Sequence, residues 1–248
     1  MAFRHRHAAG PTLPNDWRSV LEERFWLWAL LDEPEQEALG ELSERLISDK
    51  RWEAANGFEL DQEMVLLIAA QASVLVLGLG YDYFGEVGTI IIHPTTVVMT
   101  GERGSPVPGL MTDAPEAIDG QAVDGGPLLI AWDAVLHDLE NHGSGYNVVF
   151  HEFAHKLDML DHVIDGTPPL PPERYERWVR VCTEEFESIR ASGDAVLRDY
   201  AAVNPAEFFA VVTEMFFDSP RRLRSHKPDL YRAFADFYHQ DPAGRHRR

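Results

Sequence analysis

A single cysteine, Cys182, stands among 248 residues. No disulfide can form within the chain, and a cysteine-ligated zinc site is excluded. Basic residues are scarce: 22 lysines and arginines face 41 aspartates and glutamates, a formal charge of −19. A surface that acidic repels phosphate backbones and anionic headgroups, so direct binding to nucleic acid or a membrane is disfavoured and protein partners stay open. The arginine- and histidine-rich ends, 3–7 and 245–248, are local exceptions and read as frayed, solvated termini. Long apolar runs are missing too. The nearest to one, Met64 to Leu79, is broken by Gln71 and Ser73 and is short for a bilayer, so it reads as a buried helix. No positively charged region followed by an apolar stretch opens the chain, and the expected location is cytoplasmic.

What is present suits a folded protein: 45% hydrophobic and 25% charged residues. Residues 1–15 read as a loose leader, 16–242 as one domain and 243–248 as a tail. Apolar spacing predicts a helix from Asp16 toward Leu31, a second from Pro34 through Ile47, and the long apolar helix from Asp61 to Leu77. The period then changes. Thr89–His93, Thr95–Met99 and Pro127–Trp132 are short and β-branched or apolar, hence strands, and the stretch from Gly101 to Gly126 reads as a long loop. Asp133 is placed as the cap of a short helix, and helices follow over Glu173–Ala191, Pro205–Phe217 and Asp229–Tyr238. Helices, a few strands, then helices again argue for α+β.

His151-Glu152-Phe153-Ala154-His155 is an H-E-x-x-H pattern inside a stretch that reads as helix. Two histidines four positions apart stack on one helical face and can close on a single cation. Glu152 leans toward the same point without ligating it. That is the donor set of a zinc hydrolase: two nitrogen ligands, an open side for water, and a carboxylate to take the proton. Without a metal, two imidazoles and a glutamate packed together would each need a hydrogen-bond partner. The other histidines lack ligand spacing and read as surface or satisfied residues.

Zinc needs a third ligand. Glu207, in Tyr200-Ala-Ala-Val-Asn-Pro-Ala-Glu207, is an acid among aromatic and small residues. Asn204, Pro205 and Glu207 also form a capping-box arrangement that can employ Glu207 structurally, and Glu214 two turns on is the rival ligand. Asp158 can orient a ligand imidazole or sit solvated on the helix. By sequence alone Tyr200 reads as a buried tyrosine with its hydroxyl satisfied. An edge strand, Thr89–His93 or Pro127–Trp132, can pair with an extended peptide.

His151-Glu-Phe-Ala-His-Lys-Leu-Asp158 followed by Tyr200-Ala-Ala-Val-Asn-Pro-Ala-Glu207 resembles the Mlc titration factor A family of bacterial peptidases. Gly57-Phe-Glu-Leu-Asp61, Gly126-Pro127, Gly145-Tyr-Asn147 and the Phe234–Tyr238 segment extend the resemblance over most of Asp16 to Pro242. The Tyr-to-Glu spacing also resembles the catalytic domain of bacterial lethal-factor toxins, which belong to the glutamate-ligand zinc peptidases. The resemblance implies a zincin-like fold of the gluzincin type, with an N-terminal helical portion and a small mixed sheet. It implies one Zn2+ held by His151, His155 and Glu207, with Glu152 as general base and Tyr200 at the oxyanion. The implied activity is a metallopeptidase of aminopeptidase character, acting on peptides or proteins. A transcriptional repressor is a further implied partner, which a regulatory protein of this kind would bind and sequester. Lys156, a charge directly after the second histidine, departs from the general zinc-peptidase pattern, although this family commonly has it.

Overall fold

The computed structural model describes residues 11–55, 57–99, 103–104, 111–112 and 116–246. The chain begins with α1 (Trp17–Arg24), a 3-10 turn (Trp26–Leu30) and α2 (Glu33–Asp49). One helix toward Leu31 was expected, but the backbone turns extended at Phe25. Phe25, Leu27 and Trp28 are all buried around this turn. Asp16 makes no side-chain cap, whereas Asp32 closes a full capping box with Glu35 at the start of α2.

The apolar run forms α3 (Gln62–Val76), opened by Asp61 accepting from the Met64 N–H at 2.8 Å. Every residue from Val65 to Val76 is buried, so this helix is enclosed on all sides. Its polar interruptions are satisfied there. The Gln71 amide donates to Leu67 O at 3.0 Å and its oxygen accepts from Asn147 Nδ2 at 2.7 Å.

The strands, in chain order, are β1 (Arg51–Ala54), β2 (Thr89–His93), β3 (Val97–Met99), β4 (Arg103–Gly104), β5 (Met111–Thr112), β6 (Glu116–Ile118), β7 (Gly120–Ala122) and β8 (Leu128–Ala131). The main sheet runs β1-β2-β8-β7, with β1, β2 and β8 parallel and β7 antiparallel to β8. β3 pairs with β6 and β4 with β5 in two small antiparallel ribbons. Two expectations need correcting. The stretch from Gly101 to Gly126 is not wholly a loop, because β7 lies within it. Both proposed edge strands are interior, β2 between β1 and β8 and β8 between β2 and β7, so the edges are β1 and β7, of which β7 lies against the helix Val148–Asp158. Three residues with a glycine and no β-branched side chain give no strand signal of their own. β7 exists because β8 supplies its register.

Helix α4 (Trp132–Glu140) starts one residue before Asp133, whose carboxylate takes the Thr96 N–H (2.9 Å) and the Ala134 N–H (2.8 Å). There follow α5 (Val148–Asp158), α6 (Pro172–Ser192), a 3-10 turn (Asp199–Ala202), α7 (Pro205–Asp218), α8 (Pro220–His226) and α9 (Pro228–Tyr238). The architecture is α+β. Its core is continuous from Leu21 to Ala243 and is walled by the aromatic rings of Trp178, Phe209, Phe216, Phe234 and Tyr238. The expected tail is fastened over its first residues: Ala243 is buried, and Arg245 reaches Glu35 Oε1 at 2.6 Å. Among the described residues, no helix is long and apolar enough to cross a membrane.

Candidate metal centre

The helix carrying the H-E-x-x-H pattern is locked before it begins. Gly143 and Gly145 both have φ of +86°, and Asp218 accepts their N–H groups at 2.9 and 2.6 Å. A side chain at Gly145 would also strike Met215 Sδ, 2.1 Å from its Cβ position. Asn147 then caps α5, accepting from the Phe150 N–H at 2.8 Å while its amide reaches Gln71. All residues of α5 are buried, so its polar side chains act inside the protein.

His151 and His155 lie one turn apart with ring centroids 4.8 Å apart, and their Nε2 atoms are separated by 3.2 Å. Glu207 Oε2 sits 3.1 Å from the first and 3.4 Å from the second. The three side chains can present ligand atoms that all lie within 4.8 Å of one another. Among the described residues they are the one such group.

Asn204 does cap α7, taking the Glu207 N–H at 2.9 Å, but the reciprocal half of the expected capping box is not formed. The Glu207 carboxylate is thereby left for the imidazoles. Burial works to raise its pKa, yet the hydrogen bonds from His151 and His155 win and hold it well below the usual carboxylate range.

Glu214 is placed differently from the rival-ligand reading. It stands behind His151, accepting from Nδ1 at 2.7 Å and from the Asn147 N–H at 2.8 Å, and Arg198 donates to it at 2.5 Å. This arrangement keeps a proton on Nδ1 and aims Nε2 at His155 and Glu207. Burial disfavours a charged His151, but Glu214 and Glu207 overcome it and push its pKa up to about 10. The pocket thus attracts positive charge.

Glu152 is buried, and its Oε2 has no hydrogen-bond partner. Burial raises its pKa, with the neighbouring imidazoles pulling the other way. Its Oε1 lies against the edge strand: a Cβ on Gly120 would come within 2.6 Å of that oxygen. Lys156, the departure noted in the sequence, points away from the imidazoles. It donates to Val123 O at 2.6 Å and to Gly126 O at 2.9 Å, strapping the β7–β8 turn to α5.

Tyr200 is not a buried tyrosine. It is 38% exposed, with its ring centroid 5.9 Å from that of His151. Asp158 is fully buried, so the solvated alternative is excluded; Oδ2 accepts the Gly166 N–H at 3.0 Å, and Oδ1 is without a partner. Burial pushes its pKa up to about 6, against the Gly166 N–H. It fastens the loop after α5 and makes no hydrogen bond to either ligand imidazole. Of the other described histidines, His142 stacks on Trp26 at 4.9 Å and His239 bonds Gly78 O at 3.1 Å, whereas His93 is not the satisfied residue expected, because its buried Nδ1 has no partner.

The donor set fits a zinc-class ion. Two imidazole nitrogens and one carboxylate oxygen converge, the surrounding acids favour a cation, and an unpartnered buried carboxylate oxygen lies beside them. The class this geometry describes is a mononuclear hydrolytic metal centre. Comparison with known proteins sharpens that class. The chain belongs to the glucose-regulated metallo-peptidase M90 family, whose model matches residues 2–239. It is similar to an uncharacterised protein of Synechocystis sp., 33% identical over 236 residues, covering 93% of this chain and 86% of the relative. It is similar also to proteins named Mlc titration factor A. That of Cronobacter sakazakii is 32% identical, covering 92% of this chain and 87% of the relative. That of Edwardsiella ictaluri is 33% identical, covering 88% and 85%. The resemblance read from the two sequence motifs is therefore the family relationship.

Proposed function

We propose that the protein is a cytoplasmic zinc metallopeptidase of aminopeptidase character with a gluzincin-type fold. The observation that carries this reading is the convergence of His151, His155 and Glu207 beside Glu152, whose Oε2 has no partner, and under an edge strand. These three residues would hold the metal. Zinc bound there supplies a Lewis acid that polarises a peptide carbonyl and acidifies water.

The protein's residues do the rest. Glu152 accepts the proton of the attacking water and returns it to the leaving amine. Its burial favours that role, because a carboxylate with a raised pKa is a better proton carrier near neutral pH. Tyr200 turns its hydroxyl toward the carbonyl oxygen as charge gathers there. The free side of β7 pairs with the extended substrate, and Lys156 keeps that strand seated on α5.

Two results test the reading. Hydrolysis of aminoacyl chromogenic substrates should vanish with a chelator and return with zinc, alongside stoichiometric metal on the purified protein; activity indifferent to chelation would end the proposal. Gly120→Ala should lower kcat/KM on the order of 10²-fold with metal content unchanged. The reason is that its Cβ would lie 2.5 Å from Glu152 Cγ, forcing base or strand aside.

A second reading comes from the relatives' name, Mlc titration factor A. Carried to this chain, it proposes a bound repressor, with cleavage secondary. A catalytically dead variant that keeps regulatory function in cells would favour it.

A further inference from the structure

Glu214 is almost wholly buried and accepts three donors, two of which are fixed by α5 itself: the Asn147 N–H and His151 Nδ1. The third is Arg198, which comes from the other side of the centre. Its Nη2 lies 2.5 Å from Glu214 Oε1, the same oxygen that faces His151 Nδ1. Nη1 reaches Gly145 O at 3.4 Å, in the turn that leads into α5. The guanidinium also lies 4.5 Å from the ring centroid of Tyr146 and 5.8 Å from that of Tyr200. Arg198 immediately precedes the 3-10 turn carrying Tyr200, and its carbonyl accepts the Ala201 N–H at 2.9 Å. One planar group thus touches α7, the turn before the metal helix, and the segment holding the oxyanion tyrosine.

We infer that Arg198 is a positioning residue for the metal centre, acting through Glu214 on His151. This rests on the metallopeptidase reading above. The physical reason is geometric. The Asn147 N–H holds Oε2 of the Glu214 carboxylate and His151 Nδ1 meets Oε1. The guanidinium adds a charge-assisted bond to that same Oε1 from the opposite side, which keeps the oxygen ionised and in place for Nδ1, so Nε2 stays aimed at Glu207 and His155. Arg198 also offsets the charge of Glu214, which shares the pocket with Glu207 and Glu152. Lysine, a single-point donor, cannot span Glu214 and Gly145 O together.

The test uses the full chain, with Zn2+ as the probe in competition with a chromophoric chelator, and kcat and KM measured on a substrate the wild type cleaves. Arg198→Met should weaken zinc binding about 10–100-fold and lower kcat, leaving KM within about twofold. Arg198→Lys should fall between Met and wild type. Combined with Glu214→Gln, Arg198→Met should add little, since both act on one interaction. Wild-type zinc affinity and kcat in Arg198→Met would overturn the inference, as would an undiminished loss in the Glu214→Gln background. Should Arg198→Met fail to fold, Arg198→Lys decides: an intermediate affinity supports the role, and a wild-type affinity overturns it. An unmodified chain that neither binds zinc nor cleaves peptide removes the metallopeptidase reading itself. An active wild type indistinguishable from Arg198→Met removes this inference alone.

Discussion

Glu152→Gln is expected to retain zinc and to cleave peptides about 10²–10⁴-fold more slowly than the wild type. Glutamine matches the shape of the side chain and keeps an oxygen and a nitrogen where the carboxylate stood, but it cannot take a proton from water. The site is built so that this loss is clean. Glu152 ligates nothing in the converging triad of His151, His155 and Glu207, and its Oε2 has no hydrogen-bond partner to be broken. The burial that raises its pKa also means that the charge costs the fold something, so the amide should leave the thermal midpoint unchanged or higher. Metal analysis, kcat/KM and a melting curve read all three consequences. Activity within a few-fold of wild type would remove Glu152 from the mechanism, whereas loss of zinc would place it among the ligands.

How far this centre was legible in the sequence depends on how local each part is. The i, i+4 histidines and the glutamate between them follow from helical periodicity, and α5 carries them as expected. Helix α7 was equally readable because Asn204 and Pro205 announce its start. Spacing left Glu207 and Glu214 open, since both lie on one helix. What separates them is how α7 packs against α5, which directs one acid at the Nε2 side of His151 and the other at Nδ1. Gly120 and Arg198 gave no signal at all. Gly120 matters because no side chain stands between the edge strand and Glu152, and Arg198 because a turn lays its guanidinium across two distant elements. The edge strand was missed for the same reason, as its hydrogen bonds are made to residues of β8 and not specified by its own composition. Gln71 is a related case. Inside an apolar helix it looked like an interruption, and it is the residue that receives the amide of the Asn147 cap.

Glu207→Ala is expected to abolish stoichiometric zinc binding and peptidase activity together, whereas Glu214→Ala should keep the metal with affinity reduced roughly 10–100-fold. The contrast is sharp because the two acids sit on the same helix, one third and the other two turns further along, so general damage to α7 would affect both variants alike. Truncating Glu207 leaves the helix start intact: Asn204 caps it through the Glu207 backbone N–H at 2.9 Å, a bond that alanine preserves. The helix should therefore be kept, and a normal circular dichroism spectrum with no bound zinc isolates the ligand role. Truncating Glu214 removes the acceptor from His151 Nδ1, the Asn147 N–H and Arg198 at once. That variant should lose stability as well as affinity, because buried donors are left unpaired. Competition against a chelator of known strength, with melts run on the metal-free proteins, orders the two. Zinc retained in Glu207→Ala and lost in Glu214→Ala would exchange their roles, and would require α7 to sit rotated about its axis relative to the helix that bears the histidines.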